Sequence, residues 1–375
     1  MGKIYFRIHQ KDFQMSTSSL LLLGVGGAGS RMARGICRAF GSKIRLATAD
    51  TDALTGQGGD DFILLGADRL AGRGAGGDTS IARVATEDSI ATIDSRLEGV
   101  KMVVVVTALG GGTGSSSTLI ILKHLKERGI TTVVFATTPF GFEGDERIKN
   151  ANSVKPSIEE EANASLIIPL DELISGEDNM ELAMARAVDA VASGVTLFWR
   201  LLEKPGFIRF DSERLRKIIA SSGKGKFITV TKSGPDRTWE ILEELKACPL
   251  ACEKSQQTKN VIVGILAGYD LRLSEVGSVM DGIKEIFGSA PTYELATVND
   301  EETFSGRISV VVMALDSSET VAAPKTYSRS RKSKSQHHSQ ILAVISTKRS
   351  RRSMTDRTLT NRLTFVRTSR YICNQ

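Results

Sequence analysis

The sequence predicts an α/β protein: a parallel-sheet domain joined by a central helix to a smaller α+β domain, with a disordered basic tail behind them. Three observations predict it. Short apolar runs rich in β-branched residues recur through residues 19–178, the pattern of strands buried on both faces, and glycine-rich turns follow several of them. A long periodic stretch, Asn179–Trp199, reads as a helix, and residues 259–315 continue as strands and a helix without glycine loops. Beyond Leu315 the periodicity gives way to Ser, Thr, Arg and Lys.

In chain order, residues 1–18 form a polar lead-in, 19–178 the sheet domain, 179–203 the central helix, 204–258 a loop and connecting segment, 259–316 the α+β domain and 317–375 the tail. Leu20-Leu-Leu-Leu23 begins the first strand, Gly24-Val-Gly-Gly-Ala-Gly29 is its turn, and Arg31–Phe40 is the helix behind it. Gly24, Gly26 and Gly29 satisfy G-x-G-x-x-G, and a second strand, Ile44–Ala49, ends at Asp50 about twenty residues on, which is the dinucleotide fingerprint. Gly72-Arg-Gly-Ala-Gly-Gly-Asp78 is a second glycine loop.

The third organises the chain. Val103–Val106 is a buried strand; Gly110, Gly111, Gly112 and Gly114 then supply a turn with no Cβ atoms, and Ser115, Ser116, Ser117 and Thr118 open a helix carrying Leu119, Leu122 and Leu125. Strand, glycine turn and hydroxyl-rich helix start make a phosphate cradle, because the helix start presents N–H groups and positive dipole. A flexible linker would not be framed by a buried strand and a periodic helix. Another strand, Thr132–Ala136, ends at Thr137-Thr-Pro-Phe-Gly-Phe-Glu-Gly144, and Ser165–Leu170 reads as the next. In a parallel sheet these turns share the carboxyl ends of the strands, where ligands bind. One nicotinamide cofactor does not need three glycine loops; a nucleoside di- or triphosphate encircled by them does.

After the break at Lys204-Pro-Gly206 comes Phe207–Leu215, and Gly223-Lys-Gly-Lys226 leads into a strand at Phe227–Thr231. A helix at Asp236–Ala247 follows, then strand Val261–Leu266, helix Leu273–Phe287, and strands Thr292–Thr297 and Ile308–Leu315. No apolar run approaches the ~20 residues that span a bilayer. The first residues lack the apolar core of a signal peptide, and Cys37, Cys248, Cys252 and Cys373 form no disulfide or metal framework, so a cytoplasmic protein with reduced thiols and no protein-bound metal is expected. The formal charge of +6 divides unevenly: residues 317–375 hold thirteen Lys/Arg against Glu319 and Asp356, a net +11 that leaves −5 on the body. Such a tail is suited to polyanions, either anionic membrane lipid or nucleic acid.

Together these motifs resemble the tubulin/FtsZ superfamily across residues 19–316. Gly110-Gly-Gly-Thr-Gly114 is similar to its signature phosphate loop, Gly24–Gly29 to its first nucleotide loop, and Asp50-Thr-Asp-Ala53 to its Asn-Thr-Asp-Ala. Gly74-Ala-Gly-Gly-Asp78 resembles the loop at the terminal phosphate, Pro139–Gly144 with Arg147 the segment contacting ribose and nucleotide, and Ala267-Gly-Tyr-Asp-Leu-Arg-Leu273 a signature of the second domain. The resemblance implies GTP or GDP, with Mg²⁺, held by Gly26, Gly27, Asp50, Ala75, Gly76, Gly77, Gly110, Gly111, Gly112, Thr113, Gly114, Glu143 and Arg147. At the base it implies Asp189 as the guanine-reading acid, with Met184 where an aromatic usually stacks and Arg31 where an Asn usually sits. It also implies head-to-tail protofilaments of the chain itself, in cell division or a related filament role, in which one subunit's loop completes its neighbour's GTPase site.

That loop departs from the family form Pro-Gly-x-Ile-Asn-x-Asp-Phe-Ala-Asp. Pro205-Gly-Phe-Ile-Arg-Phe-Asp-Ser-Glu-Arg214 keeps Asp211, but puts Arg209 at the Asn and Arg214 at the second acid. Glu213 is one residue out of register, about 100° away on a helix. Asp211, Glu213 and Arg214 are the candidate catalytic residues, and slow hydrolysis is expected. The tail lacks the Asp-x-Pro-x-Phe-like peptide by which FtsZ meets membrane adaptors. Two other readings stay open: a filament protein that binds GTP and barely hydrolyses it, and an NAD-dependent oxidoreductase resting on Gly24–Gly29 and Asp50.

Overall fold

A single sheet carries the described part of the chain. The structure, a computed structural model, describes residues 19–40, 44–56, 59, 61–173, 179–203, 206–248 and 258–317. The first part runs β1 (Leu20–Val25), α1 (Gly26–Phe40), β2 (Leu46–Asp50), β3 (Phe62–Leu64), α2 (Ala67–Leu70), α3 (Thr79–Glu87), α4 (Ile90–Asp94), β4 (Met102–Ala108), α5 (Thr118–Glu127), β5 (Thr131–Thr138), α6 (Asp145–Glu161) and β6 (Ala164–Pro169). The rest is α7 (Met180–Glu203), α8 (Ser212–Ala220), β7 (Ser222–Ser233), α9 (Arg237–Ala247), β8 (Thr258–Ala267), α10 (Leu273–Phe287), β9 (Thr292–Asn299), α11 (Glu301–Phe304) and β10 (Arg307–Ser317).

The strands lie in the order β3-β2-β1-β4-β5-β6-β7-β10-β8-β9. Only β10 runs antiparallel to its neighbours; every other pairing is parallel. From β1 the chain builds outward to β2 and β3, then returns to place β4 on the other side of β1. The β1/β4 boundary is therefore the point where strand order reverses, and there the connecting turns diverge to leave a crevice.

The continuous apolar runs are explained by burial on both faces. Val103 and Val105 of β4 enter one core with Leu21, Leu23, Ile121, Leu125 and Ile158, whereas Met102, Val104 and Val106 enter a second with Met32, Ile36, Val195, Phe198 and Trp199. Each such side chain is worth about 1.5–3 kcal/mol relative to exposure. α7 belongs to two cores, since its Leu201 packs with Leu266, Val298 and Phe304 on the far part of the sheet. Gly264 of β8 makes room for it; a Cβ there would stand 2.1 Å from Leu201 Cδ1.

Gly225 corrects one expectation. The glycines of Gly223–Lys226 do not precede the strand but lie inside β7, which begins at Ser222. Gly225 is in register with Leu166 of β6 on one side and Leu315 of β10 on the other, and a Cβ would meet Ala314 O at 2.7 Å. Close packing between strands, rather than a turn, requires it.

A polar clasp joins α4 to the end of α5. His124 Nε2 lies 2.6 Å from Asp94 Oδ1, and Arg128 Nη1 lies 2.5 Å from the same oxygen. The His124 hydrogen bond, aided by the His124 and Arg128 charges, holds the Asp94 carboxyl below its ordinary value. A carboxyl depressed by folding adds stability above its unfolded value, about 3.9, and that stability is lost as pH falls through the lower folded value. Asp94→Asn is therefore expected to melt below the parent at pH 6 and to converge with it in acid; parallel melting curves at every pH would contradict this.

Candidate nucleotide-binding site

The turns after β1 and β4 touch at the reversal point. Gly26 has φ +75°, and a Cβ on it would lie 3.0 Å from Gly114 N. Gly29 is pressed onto β4, where a Cβ would meet Val106 O at 2.4 Å, so only glycine lets α1 start this close to the sheet. α1 starts at Gly26 itself, earlier than the expected Arg31, so the glycine motif forms its first turn. After β4, Thr113–Ser117 forms a π-helical turn that leads into α5. Neither helix start contains an acidic residue in its first turn. Two positive helix ends thus lie side by side, an arrangement that attracts phosphate.

Hydroxyls knit the remaining loops to this pair. Thr51, buried after β2, shares a 2.8 Å hydrogen bond with Thr113 Oγ1, and its own Oγ1 accepts from Ala75 N at 3.0 Å. Asp50 accepts from Thr51 N at 2.8 Å and from Thr55 Oγ1 at 2.7 Å, and Gly27 faces it and Arg31: a Cβ on Gly27 would stand 3.5 Å from Asp50 Oδ2 and 3.7 Å from Arg31 Nη1. Gly112 packs on the next loop, 2.8 Å from Asp78 O measured at an added Cβ. Gly76 and Gly77 have φ of +61° and +88° with open space where a Cβ would project, and Gly111 also faces open space. Asp78 caps α3, accepting from Ser80 N at 2.7 Å and Ile81 N at 3.1 Å.

The β5–α6 segment closes the rim. Asn150 Nδ2 donates to Gly110 O at 3.3 Å, and Gly110 N donates to Ser115 Oγ at 2.9 Å. Glu143 accepts from Phe140 N at 2.9 Å and pairs with the exposed Arg147. Arg31, Asp50, Ala75, Gly76, Gly77, Glu143, Arg147 and the two glycine turns therefore gather at one end of β1, β2, β4 and β5. Met184 and Asp189 lie on α7, but their side chains are outside the described residues. Thr51 falls inside the Asp50-Thr-Asp-Ala53 motif and Asn150 in no motif, and neither is among the predicted site residues, because nothing in the sequence shows which loop such a side chain ties.

The segment before α8 stands apart. Asp211 is the N-cap of α8, its Oδ1 accepting from Arg214 N at 2.8 Å. Arg214 Nε donates to Glu294 Oε1 of β9 at 2.7 Å, and its Nη2 reaches the same oxygen. Glu213 pairs with Arg216 at 2.7 Å, and that hydrogen bond holds its carboxyl below the ordinary value. All three are exposed. Among the described residues no group of three or more His, Cys, Asp or Glu could hold a metal ion, and no helix is long and apolar enough to cross a membrane.

A parallel α/β sheet with two glycine-built helix starts at its reversal point defines a nucleotide-binding protein. Residues 19–176 match the model described as "Tubulin/FtsZ family, GTPase domain". The chain is 30% identical over 292 residues to the cell division protein FtsZ of Pseudomonas aeruginosa, covering 76% of this chain and 74% of that one. With FtsZ of Pseudomonas putida it is 31% identical over 287 residues, covering 75% and 72%. Among solved structures it resembles an empty FtsZ dimer from M. jannaschii, with TM-score 0.74, 23% identity, and 82% of this chain and 89% of that chain covered. It also resembles a GTPγS-bound protofilament of CetZ2 from Haloferax volcanii, with TM-score 0.66, 20% identity and coverage of 80% and 94%. The chain belongs to the tubulin/FtsZ family.

Proposed function

We propose that the chain is a GTP-binding cytoskeletal protein that assembles head to tail and hydrolyses GTP slowly, the segment 206–214 of one subunit completing its neighbour's site. The observation that carries this reading is the contact between the Gly26 and Gly114 turns, which sets two helix starts side by side. Gly110–Gly114 and Gly26–Gly27 would hold the phosphates through backbone N–H groups, with Gly76 and Gly77 next to the terminal one and Mg²⁺ entering with them. Glu143 and Arg147 would contact the ribose side, and Asp189, Met184 and Arg31 the base. Bound GTP supplies the terminal phosphate that is cleaved; Asp211 would orient the attacking water from the adjoining subunit. Membership in the family favours this over the nicotinamide reading, as does Asp50, whose carboxylate is occupied by Thr51 N and Thr55.

A second reading, a filament that scarcely turns over, is favoured by the ion pairs of Arg214 and Glu213, which leave Asp211 as the one acid of the segment without a salt bridge among the described residues. By analogy with its relatives the role would be in cell division, in the cytoplasm. The basic tail, residues 317–375, would bring filaments to anionic lipid or nucleic acid. Its deletion is expected to abolish co-sedimentation with anionic vesicles or DNA at low salt, and binding unchanged by the deletion would exclude the tail as the contact.

Base recognition supplies the direct test. A site built to hydrogen-bond one base rejects another because buried polar groups are left unpaired, so the parent should prefer GTP to ATP. Asp189→Ala should weaken GTP by about tenfold or more and leave ATP nearly unchanged. Competition binding that finds the parent indifferent to the two nucleotides would overturn the assignment.

A further inference from the structure

We propose that Arg209 is a catalytic arginine supplied in trans, reaching the terminal phosphate held by the glycine turns of the next subunit. The inference rests on the reading that segment 206–214 completes a neighbour's site, and names the residue in it that carries the charge. The segment is pinned on both sides of Arg209. Gly206 lies so close to β9 that a Cβ would stand 1.6 Å from Thr297 O. Ile208 N donates to Thr297 Oγ1 at 3.0 Å, and Thr297 N donates to Ile208 O at 2.8 Å. On the other side Phe210 packs into two cores and Asp211 caps α8. The residues between these anchors face out: Phe207 is 85% exposed and Arg209 is exposed.

The segment's charges are not equivalent. Arg214 is neutralised by Glu294, and Glu213 by Arg216. Arg209 makes no ion pair among the described residues, and its one bond is a 3.5 Å contact from Nε to Gly206 O. An arginine presents several N–H donors in a rigid fork, stays protonated, and suits phosphate oxygens in two-point contact. Its backbone is already held by the pinned loop, so docking has only the side chain left to order.

In the reaction a water oxygen bonds to the terminal phosphorus while the phosphorus–oxygen bond to the second phosphate breaks. The bridging oxygen leaves on GDP with the bonding electrons, and the proton shed by water passes to the released phosphate or to solvent. Arg209 takes no proton; its N–H groups bond the terminal and bridging oxygens as negative charge grows there. Asp211, two residues on, orients the water, so one short segment would bring both acid and cation.

The test compares phosphate release from GTP by the full chain with that of Arg209→Ala and Arg209→Lys, above the concentration at which the parent assembles. Both variants should release phosphate about 100-fold more slowly per subunit, since a point charge does not replace the fork. Assembly is followed in the same samples by sedimentation. Mixing Arg209→Ala with Gly111→Val, whose side chain would project from the glycine turn into open space while its own segment 206–214 is unchanged, should restore release, because each supplies the half the other lacks. Release by Arg209→Ala within threefold of the parent, or no restoration on mixing, overturns the assignment. So does failure of both Arg209 variants to assemble with GTP, which would make Arg209 an assembly contact. A parent whose per-subunit release does not depend on protein concentration instead removes the cross-subunit reading itself.

Discussion

Gly114→Ala is expected to lose nucleotide binding by about 100-fold or more, close to 2.7 kcal/mol, and to melt below the parent. The added Cβ would lie 2.1 Å from Ala108 O, and the Gly114 carbonyl is already held by Thr107 Oγ1 at 3.0 Å and Thr118 Oγ1 at 2.7 Å, so the turn has no direction in which to relax. Overpacking of this kind typically costs about 1–3 kcal/mol. The comparison is Gly111→Ala. Its Cβ meets nothing within 4 Å, so the melting temperature should not change, yet the methyl projects into the volume assigned to phosphate and binding should still fall. Binding by isothermal titration and melting by calorimetry separate the two. Should Gly114→Ala bind as the parent does, the turn is not a phosphate cradle.

Asp211→Asn is the second large effect. Asn caps helices about as well as Asp, so the hydrogen bond from Arg214 N and the stability of α8 should survive. The charge that orients water is removed, and phosphate release should fall by about 100-fold or more. Asp211→Ala should lose the same activity and a further ~0.5–2 kcal/mol of stability with the cap. Equal turnover in the parent and Asp211→Asn would assign Asp211 to capping alone. Because Arg214 is paired with Glu294, replacing it by Asp would set two carboxylates face to face.

How much of this was legible depends on the kind of signal. β4 was visible because a strand covered on both faces must be apolar throughout, and Val103–Val106 is. The glycine turns were visible because their spacing reflects close approach that no other residue permits, as at Gly29 and Gly114. α6 was harder to read: Ala151, Val154 and Ile158 keep the helical i, i+3, i+7 spacing, but they are few among polar residues and Pro156 sits inside the helix. The role of Gly225 was hidden for a different reason. A glycine that lets strands pack and a glycine that turns the chain look alike until the register with Leu166 and Leu315 is known. The hydroxyl ties of Thr51 join residues far apart in sequence, and nothing local announces them. The partners of Arg214 and Glu213 were likewise invisible, and they decide which charges of the loop remain available.

The central claim, a GTPase site completed between subunits, is tested most directly by phosphate release per subunit across a dilution series of the parent with saturating GTP. The claim predicts negligible release below a threshold concentration and a rise with assembly above it. A per-subunit rate that stays constant through dilution would mean that each subunit carries a complete site, and would contradict it.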